Sequence, residues 1–122
     1  MSKKLCVSLT CALDNPDRAT VAFVVANASV ASDTGTMVFL STEGVRLAES
    51  GAVEGVHEDG FAPLGELISN FVKAGGQIFV CSPCFKKRGL SEEKLIDSAT
   101  IVGGASLVEY LTAGDGAACV TY

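Results

Sequence analysis

Five short apolar runs, separated by segments with helical periodicity, constrain the fold of this chain more than any other feature. The runs are nearly continuous, and we expect them to form strands at residues 5–9, 36–40, 77–81, 99–102 and 117–122. Strands that are apolar on both sides are typical of a parallel sheet covered by helices on both faces. The sequence therefore predicts an α/β fold, a three-layer α/β/α sandwich with a five-stranded, mainly parallel sheet.

The segments between these runs carry helix signals. Asn15 is a typical N-cap, Pro16 suits the first turn, and the apolar residues that follow lie on more than one side of the helix, which suggests a subunit interface. Ser91, followed by two glutamates, marks another helix start. We expect helices over residues 16–32, 63–74 and 105–112, a helix after Ser91, and a short helical turn over 45–48.

Composition limits the partners of the chain. Its 122 residues, 48% of them hydrophobic, are enough for a single domain over residues 1–122. Nine Lys and Arg against fourteen Asp and Glu give a net charge of -5, which leaves no broad basic surface for nucleic acid or an anionic membrane. The longest uncharged stretch, 19–32, is shorter than the roughly 20 apolar residues that a membrane-spanning helix needs. We expect no nucleic-acid partner and no membrane segment.

The cysteines and the first residues bear on the compartment. Five cysteines are an odd number for a disulfide framework, and they fit reduced thiols in the cytoplasm. The start resembles a signal peptide, but Ser8 and Thr10 interrupt its apolar run, so we expect no cleavage.

The segment from Cys81 to Cys84 is the most informative for chemistry. It follows the third strand, and the carboxyl ends of parallel strands, where strand order reverses, are where ligands bind. A cysteine reacts as its thiolate, which nearby positive charge and helix N-terminal amides favour. Pro83 suits a short helix, and three basic residues follow at 86–88. This pattern predicts a low-pKa, reactive Cys81 with Cys84 as its resolving or accessory thiol.

Other residues are candidates for either a binding role or a purely structural role. Lys86 and Arg88 would favour the Cys81 thiolate and attract an anionic substrate, and Cys11, at the end of the first strand, could approach Cys81. We interpret Cys6 and Cys119 as small core residues. The remaining candidates are assigned structural roles: His57 as a solvated loop residue, Gly44 as a relief of backbone strain, and Gly103 and Gly104 as a tight connection.

A zinc site and a thioredoxin-like fold fit the sequence less well. Zinc needs four ligands, and no second pair accompanies Cys81 and Cys84, so we expect no metal and no cofactor. A thioredoxin-like fold places its motif after an early strand and needs a later proline, whereas Pro83 is the last proline here. Dithiol redox chemistry on another fold stays open.

Several motifs, taken in order, resemble one known family. They are the strand end and capped helix over 10–31, Glu43-Gly44-Val45, Val80-Cys81 followed by Arg88-Gly89-Leu90, and the Gly-Ala-Ser-Leu-Val helix near the end. Together they resemble the DsrE/DsrF-like family of small sulfur-relay proteins. The resemblance implies a five-stranded parallel sandwich, homotrimers or their multiples such as hexamers, and transfer of sulfane sulfur as a persulfide on Cys81.

The second cysteine departs from the relay subunits of that family. A thiol at Cys84 can attack a persulfide on Cys81, release sulfide and close a disulfide. The leading hypothesis is a cytoplasmic sulfurtransferase whose partners are donor and acceptor proteins or small sulfur compounds. The alternatives are a non-catalytic ligand-binding or interaction module and a dithiol-disulfide oxidoreductase.

Overall fold

A five-stranded sheet forms the centre of the molecule in the computed structural model, which describes residues 3–122. The strands lie in the order β4-β3-β2-β1-β5, and all four neighbouring pairs are parallel. Their bounds are Lys4–Leu9 (β1), Gly35–Leu40 (β2), Gln77–Cys81 (β3), Ala99–Val102 (β4) and Ala118–Thr121 (β5). The predicted fold class is confirmed.

Four α-helices and two 3-10 helices connect the strands. The α-helices are Pro16–Ala31 (α1), Leu64–Lys73 (α2), Ser82–Lys87 (α3) and Gly104–Thr112 (α4), and the 3-10 helices are Thr42–Ala48 and Glu92–Lys94. The predicted cap of α1 is confirmed, because the Asn15 side chain accepts a hydrogen bond from the Arg18 amide at 3.2 Å. Over residues 3–122, every helix is too short or too polar to traverse a bilayer.

The larger core lies between α1, α2 and one face of the sheet. Phe23 of α1 and Phe71 of α2 are fully buried and meet edge to face, with ring centroids 5.8 Å apart. Asn27 also joins the two helices, since its side-chain amide donates to the Leu67 carbonyl at 2.9 Å. These contacts hold both helices against the strands that end near Cys81.

The opposite face of the sheet carries a smaller core under α4. Cys6, Met37 and Phe39 are buried there against three residues of the last helix, Leu107, Tyr110 and Leu111. Lys4 holds the end of that helix, donating to the carbonyls of Tyr110 at 3.1 Å and Ala113 at 3.2 Å. All four residues of β5 remain exposed, so this edge strand depends mainly on its pairing with β1.

The predicted helix after Ser91 is wrong. Ser91 does cap a helix start, accepting from the Glu93 amide at 3.3 Å, but only the 3-10 helix Glu92–Lys94 follows. The chain then pairs with the segment after Ala48: the Ile96 amide donates to the Ala48 carbonyl at 2.8 Å, and Ser50 donates to Lys94. These extended-chain hydrogen bonds replace the ones that a longer helix would have made.

Candidate functional site: the Cys81–Cys84 pair

The two cysteines lie where β3 passes into α3. Cys81 is the last residue of the strand and the N-cap of the helix, and Cys84 follows one helical turn later. Phe85 anchors the short helix, with only 3% of its surface exposed, while both thiols are half-buried. The predicted helix around Pro83 is confirmed, and it brings the two thiols together at the molecular surface.

The site lies at the carboxyl end of a strand, as predicted, but not at the point where the strand order reverses. The order reverses between β1 and β5, whereas Cys81 ends β3, two strands from β1. The neighbour of the cysteine pair is instead the turn after β2, since α3 packs against the 3-10 helix Thr42–Ala48. The site therefore combines the carboxyl ends of β2 and β3.

The turn after β2 is shaped by one strained residue and one close approach. Thr42 has a positive φ of 50°, and its hydroxyl donates to the Thr10 carbonyl at 2.7 Å. A Cβ atom at Gly44 would lie 2.3 Å from the Leu9 carbonyl oxygen. The expectation that Gly44 relieves backbone strain is thus wrong: the left-handed residue is Thr42, and the glycine allows the turn to contact β1.

Glu43 links this turn to α3. Its carboxylate accepts from Arg88 Nε at 3.0 Å and from Arg46 Nε at 2.6 Å. Arg88, with 14% of its side chain exposed, also donates from Nη1 to the Cys84 carbonyl at 3.2 Å. The guanidinium is therefore held beside the cysteine pair from two elements.

The pKa values of the two thiols are shifted in opposite directions. Burial raises the pKa of Cys81, as does its hydrogen bond to Cys84, and the backbone of Cys84 and the charge of Arg88 offset this only in part. Burial also acts to raise the pKa of Cys84. Hydrogen bonds from Cys81 and the Thr42 backbone, with the charges of Arg88 and Lys87, outweigh burial and lower that pKa. The expectation of a low-pKa Cys81 is therefore wrong, and Cys84 is the more acidic thiol.

The other predicted binding residues separate in space. Lys86 is exposed and lines a cavity of about 360 Å³ with Ser82, Phe85, Leu90, Glu92 and Ile101, while Lys87 is the lysine whose charge acts on Cys84. Cys11 is buried, with its thiol 3.7 Å from the Asn15 carbonyl oxygen. Burial also raises the pKa of Cys11, and this environment gives no support for a role in the site.

Sequence reasoning missed two contributions from the turn after β2. The Thr42 backbone reaches the Cys84 thiol, and Glu43 holds Arg88 in place. The Glu43-Gly44-Val45 motif drew attention to Glu43 but not to its partner, because a pairing across 45 residues leaves no pattern in the sequence. Among residues 3–122, no three His, Cys, Asp or Glu side chains converge on a possible metal position.

A comparison with protein families decides the relationship. The model of the DsrE/DsrF-like family matches residues 3–117. This chain belongs to the DsrE/DsrF-like family. The predicted resemblance is therefore confirmed, and it extends over almost the whole chain.

Two relatives known from sequence are uncharacterized proteins. The uncharacterized protein MJ0760 of Methanocaldococcus jannaschii is 28% identical over 98 residues, covering 80% of this chain and 36% of the relative. The uncharacterized protein MK0008 of Methanopyrus kandleri is 31% identical over 78 residues, covering 64% of this chain and 61% of the relative. The chain thus spans less than two thirds of the length of these curated relatives.

Solved structures support the fold. The ychN protein from E. coli superimposes with a TM-score of 0.69 at 16% identity, with both chains fully covered. MTH1491 from Methanobacterium thermoautotrophicum, a protein of unknown function, gives a TM-score of 0.77 at 14% identity, covering 99% of this chain and all of the other. At these identities the likeness concerns the fold alone.

Proposed function

We propose that this DsrE/DsrF-like protein is a sulfurtransferase that carries sulfane sulfur as a persulfide on the Cys81–Cys84 pair. The observation that carries the proposal is the placement of two neighbouring thiols, one helical turn apart where β3 passes into α3, beside an Arg88 guanidinium that Glu43 holds in place. The pKa of Cys84 is lowered by hydrogen bonds and by the charges of Arg88 and Lys87, while that of Cys81 is raised by burial. One thiol is thus prepared to attack a donor, and the other lies beside it to receive the sulfur.

Sulfur enters through Cys84 in this proposal, because the thiolate is the nucleophile and Cys84 holds more of it. With thiosulfate as donor, the Cys84 sulfur attacks the outer sulfur of the donor. The donor S–S bond breaks, sulfite leaves with the electron pair, and Cys84 becomes a persulfide. Arg88 and Lys87 favour both the approach of the anion and the negative charge on the persulfide.

A second step moves the sulfur to Cys81, the position that the family resemblance assigns to the persulfide. The Cys81 thiol loses its proton to solvent and attacks the outer sulfur of the Cys84 persulfide. The persulfide bond breaks, and Cys84 leaves as a thiolate. This direction is favoured because the thiol with the lower pKa is the better leaving group.

A dithiol-disulfide oxidoreductase is the second candidate, and the hydrogen bond between the two thiols favours it. If Cys81 attacks the inner sulfur of the Cys84 persulfide instead, a disulfide forms and hydrosulfide leaves. The same first step then ends in a different product, so the products distinguish the two functions.

Persulfide mapping by mass spectrometry tests the proposal. The protein, reduced and then freed of reductant, is incubated with thiosulfate, alkylated and digested, alongside Cys81→Ser, Cys84→Ser and the control Cys11→Ser. We expect the persulfide on Cys81 in the parent and in Cys11→Ser, and on Cys84 in Cys81→Ser. Loading of Cys84→Ser should be slower by several-fold, roughly up to tenfold, because the thiol with the lowered pKa is lost.

Three outcomes would contradict the proposal. A Cys81–Cys84 disulfide with sulfide released, lost in both serine variants, would favour the oxidoreductase. Thiols that resist both thiosulfate and alkylation would favour a non-catalytic interaction module. A persulfide on Cys11 or Cys119 would place the chemistry elsewhere.

We also propose a homo-oligomer, a trimer or a multiple of it, in a reducing cytoplasm. The support for assembly is the family resemblance and the apolar composition of α1, whose Val21, Val24 and Val25 are only half-buried. All five cysteines are free thiols, as a reducing compartment requires. Sedimentation at micromolar concentration tests assembly, and a monomer would contradict it.

A further inference from the structure

A second pair of thiols lies on the opposite side of the molecule from α1, at the pairing of β1 with β5. Cys6 and Cys119 are direct register partners in neighbouring parallel strands, so their side chains point to the same face of the sheet. Neighbouring strands are about 4.8 Å apart, and disulfides join Cα atoms separated by about 4.4 to 6.8 Å. The strand pairing alone therefore brings these two residues within disulfide range.

The two thiols differ in access. Cys6 has no exposed surface and packs beneath α4, while Cys119 is exposed on the edge strand, contrary to its predicted core role. Burial, with a smaller contribution from the neighbouring Cys119 thiol, raises the pKa of Cys6 to about 12. A reagent in solution therefore reaches the exposed Cys119 thiol before the buried Cys6 thiol.

We propose that Cys6 and Cys119 form a dithiol oxidation site, which low-molecular-weight disulfides convert to an intramolecular disulfide between β1 and β5. The site is independent of the proposed sulfur transfer at Cys81 and Cys84. Its product would join the exposed edge strand β5 covalently to its neighbour β1.

The reaction has two thiol-disulfide exchange steps. The Cys119 thiolate attacks one sulfur of the small disulfide, whose S–S bond breaks and releases one small thiolate. Cys6 then gives its proton to that thiolate and attacks the Cys119 sulfur, and the second small thiolate leaves and takes from solvent the proton that Cys119 had lost. Two protein thiols are oxidised, and one small disulfide is reduced to two thiols. The high pKa of Cys6 makes the second step the slower one.

The test uses the Cys81→Ser/Cys84→Ser double variant, so that the first thiol pair cannot contribute and failure of sulfur transfer cannot affect the result. This protein is treated with hydroxyethyl disulfide at about pH 8.5, where thiolates are more populated. Complete tryptic cleavage separates Cys6, on peptide 5–18, from Cys119, on peptide 95–122. Nonreducing mass spectrometry should then find these two peptides linked by a disulfide.

Added substitutions assign the link. Because Cys11 shares a peptide with Cys6, Cys11→Ser is the matched control and should retain the linked peptides. Cys6→Ser should stop at a hydroxyethyl adduct on Cys119, and Cys119→Ser should form neither the adduct nor the link. If Cys6→Ser does not fold, the link in Cys11→Ser and its loss in Cys119→Ser decide the assignment. An unreactive Cys119, an adduct that persists beside a free Cys6, or a link lost in Cys11→Ser would overturn the proposal.

Discussion

The two thiol pairs of this protein show how the same side chains acquire different chemistry on one sheet. The Cys81–Cys84 pair follows the end of a strand, where the Thr42 backbone and the charges of Arg88 and Lys87 reach Cys84. The Cys6–Cys119 pair lies within two neighbouring strands, and the Cys6 thiol is buried beneath α4. The pKa of Cys84 is lowered because the strand end brings a backbone donor and two cations to its sulfur.

The two thiol pairs are also held in position by different kinds of contact. The first pair is placed by a short helix, a strained turn and the ion pairs of Glu43. The second pair is placed by strand register, which needs no special side chain. Substitutions in the turn after β2 should therefore change the first pair and leave the second unchanged.

Gly44→Ala should have the largest effect. Its Cβ would lie 2.3 Å from the Leu9 carbonyl oxygen, so the turn must move, at a cost of about 2–3 kcal/mol. Urea unfolding measures the loss, and alkylation against pH should show a higher pKa for Cys84. The control Gly65→Ala meets only a methyl group at 3.4 Å and should change stability by less than about 1 kcal/mol. Equal stability of the two variants would show that the turn adapts without cost.

Cys84→Ser should remove the fast phase of alkylation. At neutral pH the lowered pKa of Cys84 increases its thiolate fraction, so the total initial rate should fall by about tenfold. Iodoacetamide kinetics with peptide mapping measure this change. Cys11→Ser, a matched control at a buried thiol, should retain the parent rate. A fast phase that survives in Cys84→Ser would assign the reactive thiol to another cysteine.

Arg88→Gln should lower the thiolate population of Cys84 and leave the alkylation rate of Cys119 unchanged. The lost positive charge should raise the pKa of Cys84, and the alkylation rate at neutral pH should fall by roughly three- to tenfold. Alkylation rate against pH measures the midpoint. Lys86→Gln removes the charge of an exposed neighbouring lysine and is the control. Equal shifts in the two variants would indicate a general effect of charge rather than a positioned guanidinium.

Glu43→Gln should have the smallest effect, because the carboxylate is partly exposed and solvent screens its ion pairs. The pKa of Glu43 is lowered by its hydrogen bonds to Arg46 and Arg88. A pKa that is lower in the folded protein stabilises it above the unfolded value, and this is lost as pH falls through the folded value. Melting temperatures should therefore favour the parent near neutral pH and converge in acid. A constant difference at every pH would contradict this account.

Much of the fold could be predicted because its signals are local. Near-continuous apolar runs indicated the five parallel strands, and Asn15 before Pro16 located the start of α1. The helix after Ser91 was wrong because a correct cap was followed by pairing of Leu95 and Ile96 with residues distant in the chain. A capping signal marks where a helix can begin, but tertiary hydrogen bonds decide its length.

The sequence by itself determined the α/β class, the family resemblance and the position of both site cysteines, because apolar periodicity and a short motif are written in consecutive residues. Only the tertiary structure decided which thiol is acidic, since the groups responsible come from the turn after β2, the end of β3 and the segment of α3 and Arg88. It likewise decided that Cys6 and Cys119 are neighbours, although they lie 113 positions apart in the chain. Acidity and thiol pairing depend on distance in space, which a single sequence does not record.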